Sequence, residues 1–414
     1  VRLPEHAATT ANVSALYPFM AGAGLPRRGV YIGEDRFGGG FVFSAFELYE
    51  AKVVSGPNAA VFGRIGRAKS SLMKTLLYRS AIFGVRSFVL DPKGEYRALA
   101  EALGLEVLSL RPGGEVRLNP LDAMAGADAD LHQLELLQAL TETMLARRLA
   151  SEERTAIELG LAAAGAGPTI PDVVDAMQRP RPGAGAEVGL DDGELRRIGR
   201  QAALELRRLV SGDMRGMFDG PTTRGLALDG EVVVLDLSGV YHSAALPLVM
   251  TCVMAWLRRV LEARAGRRHT YVVVDEAWVP LSELAIVRWM REGIKLSRRY
   301  GASWWLVLHK VGDLAAVGAA GSEQARVAQS LLDDLEIRVV YAQAAGEIAR
   351  HGELLGLTET ERALLPQLGQ GQALWKIGQR SALVQHRLSP GEQRLVDSDF
   401  AMRGRYRDDE GGAA

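Results

Sequence analysis

The sequence predicts an α/β protein with a mostly parallel sheet and an inserted all-helical region. Three observations carry this. Short, continuous apolar runs alternate with stretches of helical periodicity, the pattern of strands covered on both faces by helices. From about residue 122 to 225 the pattern is helical and strand-like runs are missing. Beyond that region the strand-like runs resume and continue to "SALVQH".

The bulk numbers bound the reading. At 414 residues the chain is too long for one ordinary core and is expected to form two or three lobes. Hydrophobic residues make up 48%, normal for a globular protein. The net charge of −1 excludes a polycation, so nucleic-acid contact would need a local basic patch. Cys252 is the single cysteine, which excludes an internal disulfide. It sits in an apolar run and reads as a small buried hydrophobe, consistent with a reducing compartment. "VRLPEHAATT" lacks the apolar core of a signal peptide. The most apolar stretch, 244–257, contains Pro247 and Thr251 and runs into Arg258 and Arg259. A membrane span needs ~20 apolar residues, so this stretch reads as a buried helix and no integral span is expected. The chain opens on Val1 without a methionine, as a piece of something larger would.

The elements follow in order. Residues 1–50 read as an irregular arm with one or two strands, "GFVFSAF" among them. Residues 51–121 form the first part of the core. There "AAVFG" is a buried strand feeding a loop, and Leu72, Met73, Leu76, Leu77, Ala81 and Ile82 recur at helical spacing before Gly84 closes the helix. "RSFVLD" is a second strand, followed by the turn "PKGEY", a short helix and "EVLSL". Residues 122–225 are the helical insertion, divided by the loop-like "PRPGAGAEVG". Residues 226–390 complete the core with "EVVVLDL", "TYVVVDE", "SWWLVLH", "EIRVVY", "ALWKI" and "SALVQH". Residues 391–414 are a C-terminal tail, with disorder expected from about Arg403. No internal repeat is visible.

"VFGRIGRAKSSLMKTLLYRS", residues 61–80, nearly matches the phosphate-loop pattern G-x-x-x-x-G-K-[ST]. Gly63 opens it, Arg64, Ile65, Gly66 and Arg67 follow, and Lys69, Ser70 and Ser71 close it. Ala68 stands where the second glycine belongs. Such a loop works by inward-pointing backbone N–H groups, a helix N-terminus, a lysine on the outer phosphates and a hydroxyl on Mg²⁺. At positive φ, Ala68 would cost roughly 1–2 kcal/mol; at negative φ it would cost nothing. A purely structural strand–turn–helix remains the alternative.

"HTYVVVDEAW" places Asp275 and Glu276 at the end of a buried strand. In triphosphatases with an acidic pair there, the aspartate holds the Mg²⁺ shell and the glutamate orients or deprotonates the attacking water. The alternative is a solvent-facing turn. Asp275 lies 206 residues beyond Lys69, a gap that the helical insertion accounts for.

With "DPKGEY" (Asp91 to Tyr96), "LNPLD" (Leu118 to Asp122), "VVVDEAW" and "SRRYGASWWLVLHKVGDL", the chain resembles the HerA/FtsK-type motor ATPases. Within them it most resembles the VirB-four/TraC ATPases of type IV secretion and conjugation. The opening "TANVSALYPF" is similar to the segment preceding the ATPase core there. The resemblance spans residues 10 to 400 and corresponds to the C-terminal ATPase half of that family. It implies a RecA-like P-loop NTPase fold, ATP and Mg²⁺ as cofactors, and hydrolysis that powers substrate transfer or channel assembly. It implies that Lys69 and Ser70 bind phosphate and Mg²⁺, that Asp275 is the Walker B aspartate and that Glu276 is the catalytic carboxylate. Arg298, three residues before Gly301, matches an arginine finger reaching a neighbouring subunit, which implies a ring, typically a hexamer. His309 stands where the family carries a glutamine that senses the γ-phosphate; an imidazole can still donate a hydrogen bond. Asp91, Lys93 and Glu95 match a motif beside the nucleotide and read as site-adjacent. The implied partners are secretion or conjugation channel components and DNA or nucleoprotein cargo, at the inner face of the cell membrane in the cytoplasm. A double-stranded DNA pump and a nucleotide-binding scaffold without turnover stay open beside this reading.

Blander readings stand next to these. Arg288, Arg291, Lys295, Arg298 and Arg299 also fit the solvated face of a helix. Trp304 and Trp305 read as core, and Trp278 as packing at a domain edge. His6, His132, His242, His269, His351 and His386 have no ligand spacing, so no structural zinc is expected.

Overall fold

The computed structural model describes residues 28–396 apart from 65, 123–128, 212–213, 227–229, 264–267, 282–283 and 316–322. The expected arm over residues 1–27 and the expected disorder from about Arg403 lie outside the described residues.

The strands are β1 (Val30–Asp35), β2 (Gly40–Phe43), β3 (Ala59–Phe62), β4 (Arg86–Asp91), β5 (Val107–Ser109) and β6 (Val232–Asp236), then β7 (Thr270–Val274), β8 (Ala302–Leu308), β9 (Ile337–Tyr341), β10 (Gln372–Ile377) and β11 (Arg380–His386). They form one 11-stranded sheet in the order β2-β1-β11-β10-β9-β3-β8-β7-β4-β6-β5. From β9 to β5 every neighbouring pair is parallel, and from β9 to β2 every pair is antiparallel. The hairpin strands therefore extend one edge of a parallel core.

The continuous apolar runs have a direct cause. Alternate residues of each central strand enter two different apolar cores, one on each face of the sheet. Ala60, Phe62, Phe88, Leu90, Val272, Val274, Leu306 and Leu308 pack on one side; Ala59, Val61, Val89, Tyr271, Val273, Trp305 and Val307 pack on the other. A strand covered on both faces needs no polar alternation. The helix Lys69–Ala81 lays Leu72, Met73, Leu76 and Leu77 against the second side. The helix Leu246–Ala263 covers the first with Val249, Met250, Val253 and Trp256. Its neighbour Cys252 is fully buried.

The region read as an insertion contains the helices Ala129–Leu145, Ser151–Ala164, Ile170–Gln178 and Asp192–Arg208. The first of them is not detached from the sheet. Its Leu136, Leu137 and Leu140 belong to the same apolar cluster as the strands, and it packs against the helix Leu284–Lys295. Among the described residues no helix is long and apolar enough to cross a membrane.

One arginine ties the antiparallel edge to the rest. Arg79, in the last turn of Lys69–Ala81, donates to both carboxylate oxygens of Glu392 at 2.6 Å, to the Arg387 carbonyl at 2.8 Å and to the Tyr31 carbonyl. Glu392 lies on the helix Pro390–Val396 and is buried. His386 is buried beside this pair; burial first, and then the Arg79 charge, pushes its pKa down to about 4.

Two outcomes follow. Glu392→Ala leaves the Arg79 guanidinium without its bidentate partner and should lower unfolding free energy by about 3 kcal/mol, read from denaturant midpoints. The imidazole of His386 is depressed relative to the unfolded chain, so its stabilising contribution is complete above pH 6.5 and is lost as pH falls toward about 4. His386→Gln should therefore flatten the melting temperature between pH 6.5 and 4; an unchanged slope would contradict this.

Candidate functional site

The carboxyl ends of parallel strands are where α/β sheets bind ligands, and the sequence places its chemistry there. β3 ends at Phe62 and turns into the loop through Gly63. That glycine has no room for a side chain: a Cβ would sit 2.8 Å from Tyr341 Cβ and 3.2 Å from Lys69 Cγ. Gly66 has φ +76° and Ala68 has φ +75°. Ala68 is thus in the strained conformation considered above, at a cost of roughly 1–2 kcal/mol. Its methyl packs against the second apolar core, which offsets part of that cost. Ala68 caps the helix Lys69–Ala81, so Lys69, Ser70 and Ser71 form its first turn. Arg64 is exposed, and Arg67, Ser70 and Ser71 are half-buried. Ile65 lies outside the described residues.

Lys69 is buried, 7% exposed. Its Nζ donates to the Gly63 carbonyl at 2.5 Å and the Arg64 carbonyl at 3.3 Å, and lies 3.3 Å from His309 Nδ1. His309 follows β8; its Nε2 is 2.7 Å from Glu276 Oε2. An ammonium can only donate and a carboxylate can only accept. The imidazole between them therefore accepts at Nδ1 and donates at Nε2, the neutral Nε2–H tautomer. Burial lowers the Lys69 pKa, and the Asp275 and Glu276 charges oppose that shift.

Asp275 and Glu276 follow β7 and are both buried. Glu276 adopts φ +52°, an uncommon conformation for a residue with a side chain and one that collects at functional sites. Glu276 Oε2 accepts from Trp278 Nε1 at 2.5 Å as well as from His309, and Oε1 pairs with Lys93 Nζ at 2.5 Å. Burial alone would raise the Glu276 pKa, but the bonds from His309, Lys93 and Trp278 outweigh it and hold the group at about 2. Asp275 goes the other way. Burial first, then the Glu276, Glu95 and Asp91 charges, raise it to about 7. Glu276 has three side-chain donors, whereas Asp275 sits among other carboxyl groups.

Asp91 ends β4 beside them. It accepts from the Glu95 and Tyr96 N–H groups at 3.0 and 2.8 Å, fixing the turn that carries Lys93. Burial lifts its pKa to about 6 against those bonds.

Lys69, Asp275, Glu276, His309 and the loop thus meet at the ends of β3, β7 and β8. Arg298 does not join them. It is exposed on the short helix Ser297–Tyr300, before β8, with Nη1 3.4 Å from the Ser55 carbonyl. The seven residues of β8, at ~3.3 Å each, put it roughly 20 Å from its own chain's site. Of the other basic residues near it, Arg291 pairs with Asp334 at 3.4 Å. Trp304 and Trp305 are buried in the core. Trp278 is not simply a domain-edge residue: although 38% exposed, it donates to Glu276. Lys93 is likewise more than adjacent. Gln343, just past β9, donates to the His309 carbonyl at 3.2 Å, and no sequence pattern pointed to it.

Neither a family model nor a curated protein sequence matches the chain. Solved structures do. VirB4 of Thermoanaerobacter pseudethanolicus superposes with a TM-score of 0.73 at 22% identity, covering 89% of this chain and 99% of that one. The conjugative coupling protein TrwB in complex with ADP and Mg²⁺ gives 0.57 at 16% identity, covering 80% and 86%. TrwB with the non-hydrolysable ATP analogue ADPNP gives 0.55 at 15% identity, covering 80% and 85%. These likenesses establish the fold. It is the RecA-like P-loop fold that VirB4 and TrwB share, as the sequence resemblance implied.

Ala68→Gly should remove the left-handed strain at the helix start. Glycine's larger unfolded-state entropy takes back part of the gain, leaving about 0.5–1 kcal/mol of added stability. A denaturation midpoint equal to or below that of the parent chain would contradict the strain.

Proposed function

We propose that the chain is an ATP-hydrolysing motor subunit of a type IV secretion or conjugative transfer machine. The observation that carries this reading is the convergence of Lys69, His309, Glu276 and Asp275 beside the loop Gly63–Ser71, at three adjacent strand ends. The likeness to nucleotide-bound TrwB and to VirB4 supports it.

The residues fit Mg²⁺ and a triphosphate. The Ser70 hydroxyl and the Asp275 carboxylate are oxygen donors of the kind that suits a hard divalent cation. Asp275, raised to about 7 by burial and neighbouring negative charge, is a carboxylate that such a cation would return to the ionised form. When bound, Mg²⁺ would neutralise phosphate charge. Lys69, at the head of the helix, adds an ammonium and the helix N-terminus to the same place. Glu276 orients the attacking water through the face of its carboxylate left free by His309 and Trp278. His309 occupies the sensing position and ties Lys69 to Glu276, so a change at the phosphates reaches the carboxylate through one imidazole.

Arg298 acts in trans in this reading. It stands on the sheet end opposite its own site, exposed, where a neighbouring subunit's site can receive it, and a ring of six subunits would supply that neighbour. The helices between 129 and 208 would move with nucleotide state and pass force to channel components or to DNA or nucleoprotein cargo. The chain would work in the cytoplasm, at the inner membrane face.

Lys69→Ala should abolish Mg-ATP turnover measured as phosphate release. Glu276→Gln should retain Mg-ATP binding while turnover falls ~10²- to 10⁴-fold. Turnover at the parent rate in either variant would refute the assignment.

A further inference from the structure

The site holds a second lysine that the loop motif does not require. Lys93 Nζ lies 2.5 Å from Glu276 Oε1 and 5.9 Å from the centre of the Tyr241 ring. Its side chain is 28% exposed whereas that of Glu276 is 4% exposed. The lysine faces open space and the carboxylate does not. Its backbone is held still: the Asp91 carboxylate binds the Glu95 and Tyr96 N–H groups, and Gly94 turns at φ +73° against Ser238. Only the flexible stem can move the ammonium.

The geometry points to Lys93 as a terminal-phosphate recognition residue, which exchanges Glu276 for the third phosphate of a bound triphosphate. The inference rests on the reading of this site as one for Mg-ATP, and deepens it. Three features make the exchange favourable. Glu276 keeps two donors, His309 and Trp278, when Lys93 leaves, so no buried carboxylate is orphaned. The second contact of Lys93, the Tyr241 face at 5.9 Å, is a weak one that releases readily. A terminal phosphate carries more negative charge than one carboxylate, and hydrogen bonds between ionised partners are the strong ones. Departure of Lys93 also clears Oε1, the carboxylate oxygen that neither His309 nor Trp278 occupies. Water is then admitted to Glu276 only when a third phosphate is present. A diphosphate gives Lys93 nothing to reach, and the pair with Glu276 stays closed.

The test is a competition titration on the full chain, comparing Mg²⁺ plus a non-hydrolysable ATP analogue with Mg-ADP. In Lys93→Met the preference for the triphosphate analogue should fall about tenfold with ADP affinity unchanged, and Lys93→Arg should restore it. A parent-like preference in Lys93→Met would reduce Lys93 to a structural ion pair and overturn the inference. A parent chain that binds neither nucleotide would defeat the ATP reading itself, and this inference with it. If Lys93→Met does not fold, the double variant Lys93→Met, Glu276→Gln removes the carboxylate left behind. It should show the same loss relative to Glu276→Gln alone, and an equal preference in the two would count against the exchange.

Discussion

Two carboxylates side by side at the end of a strand buried on both faces are costly, because each disfavours the charge of the other and neither is well solvated. The structure around Asp275 and Glu276 answers that cost from several directions. β8 supplies His309, the turn after β4 supplies Lys93, the residue after the pair's own turn supplies Trp278, and the loop after β3 supplies Lys69. All of these lie at one end of the sheet because the strands run parallel, so their carboxyl ends coincide whatever their separation in the chain. The result is asymmetric. Glu276 is saturated with donors and strongly acidic, while burial and the neighbouring carboxyl charges raise Asp275. In the proposed function such an asymmetric pair would separate two duties, one carboxylate to receive a cation and one to handle water.

Much of this arrangement was legible in the sequence. The strands announced themselves because both their faces are buried, so that "RSFVLD", "TYVVVDE" and "SWWLVLH" carry no polar alternation. Lys69 followed from the loop pattern, and the acidic pair from its place at a strand end. The left-handed conformation of Ala68 carries no sequence signal, because alanine is normally found at negative φ. Contacts between side chains far apart in sequence were not legible. Lys93 and Glu276 are 183 residues apart, and Trp278 reads as an ordinary aromatic until its indole N–H is seen on Glu276. Gln343 has no sequence signal, because its contact is with the backbone of His309. The order of strands was also hidden: β8 lies between β3 and β7, which brings His309 between the lysine and the glutamate.

The helices between 129 and 208 bear on how motion would leave the site. The first, Ala129–Leu145, shares the apolar cluster of the sheet and packs on Leu284–Lys295, whose C-terminal end leads into the short helix bearing Arg298. A displacement at one of these packed helices is felt by the next, since close-packed interiors transmit strain. Arg298 and the helical region are thereby joined through a single helix.

The central claim of the proposed function is that Ser70 and Asp275, from two distant segments of the chain, hold a divalent cation beside Lys69. Crystals of the chain grown with Mn²⁺ and ADPNP would locate that ion directly through its anomalous scattering. The account predicts a strong peak between the Ser70 hydroxyl and the Asp275 carboxylate, with the phosphates along the loop from Gly63 to Ser71. Nucleotide bound elsewhere, or a manganese peak remote from both oxygens, would contradict it.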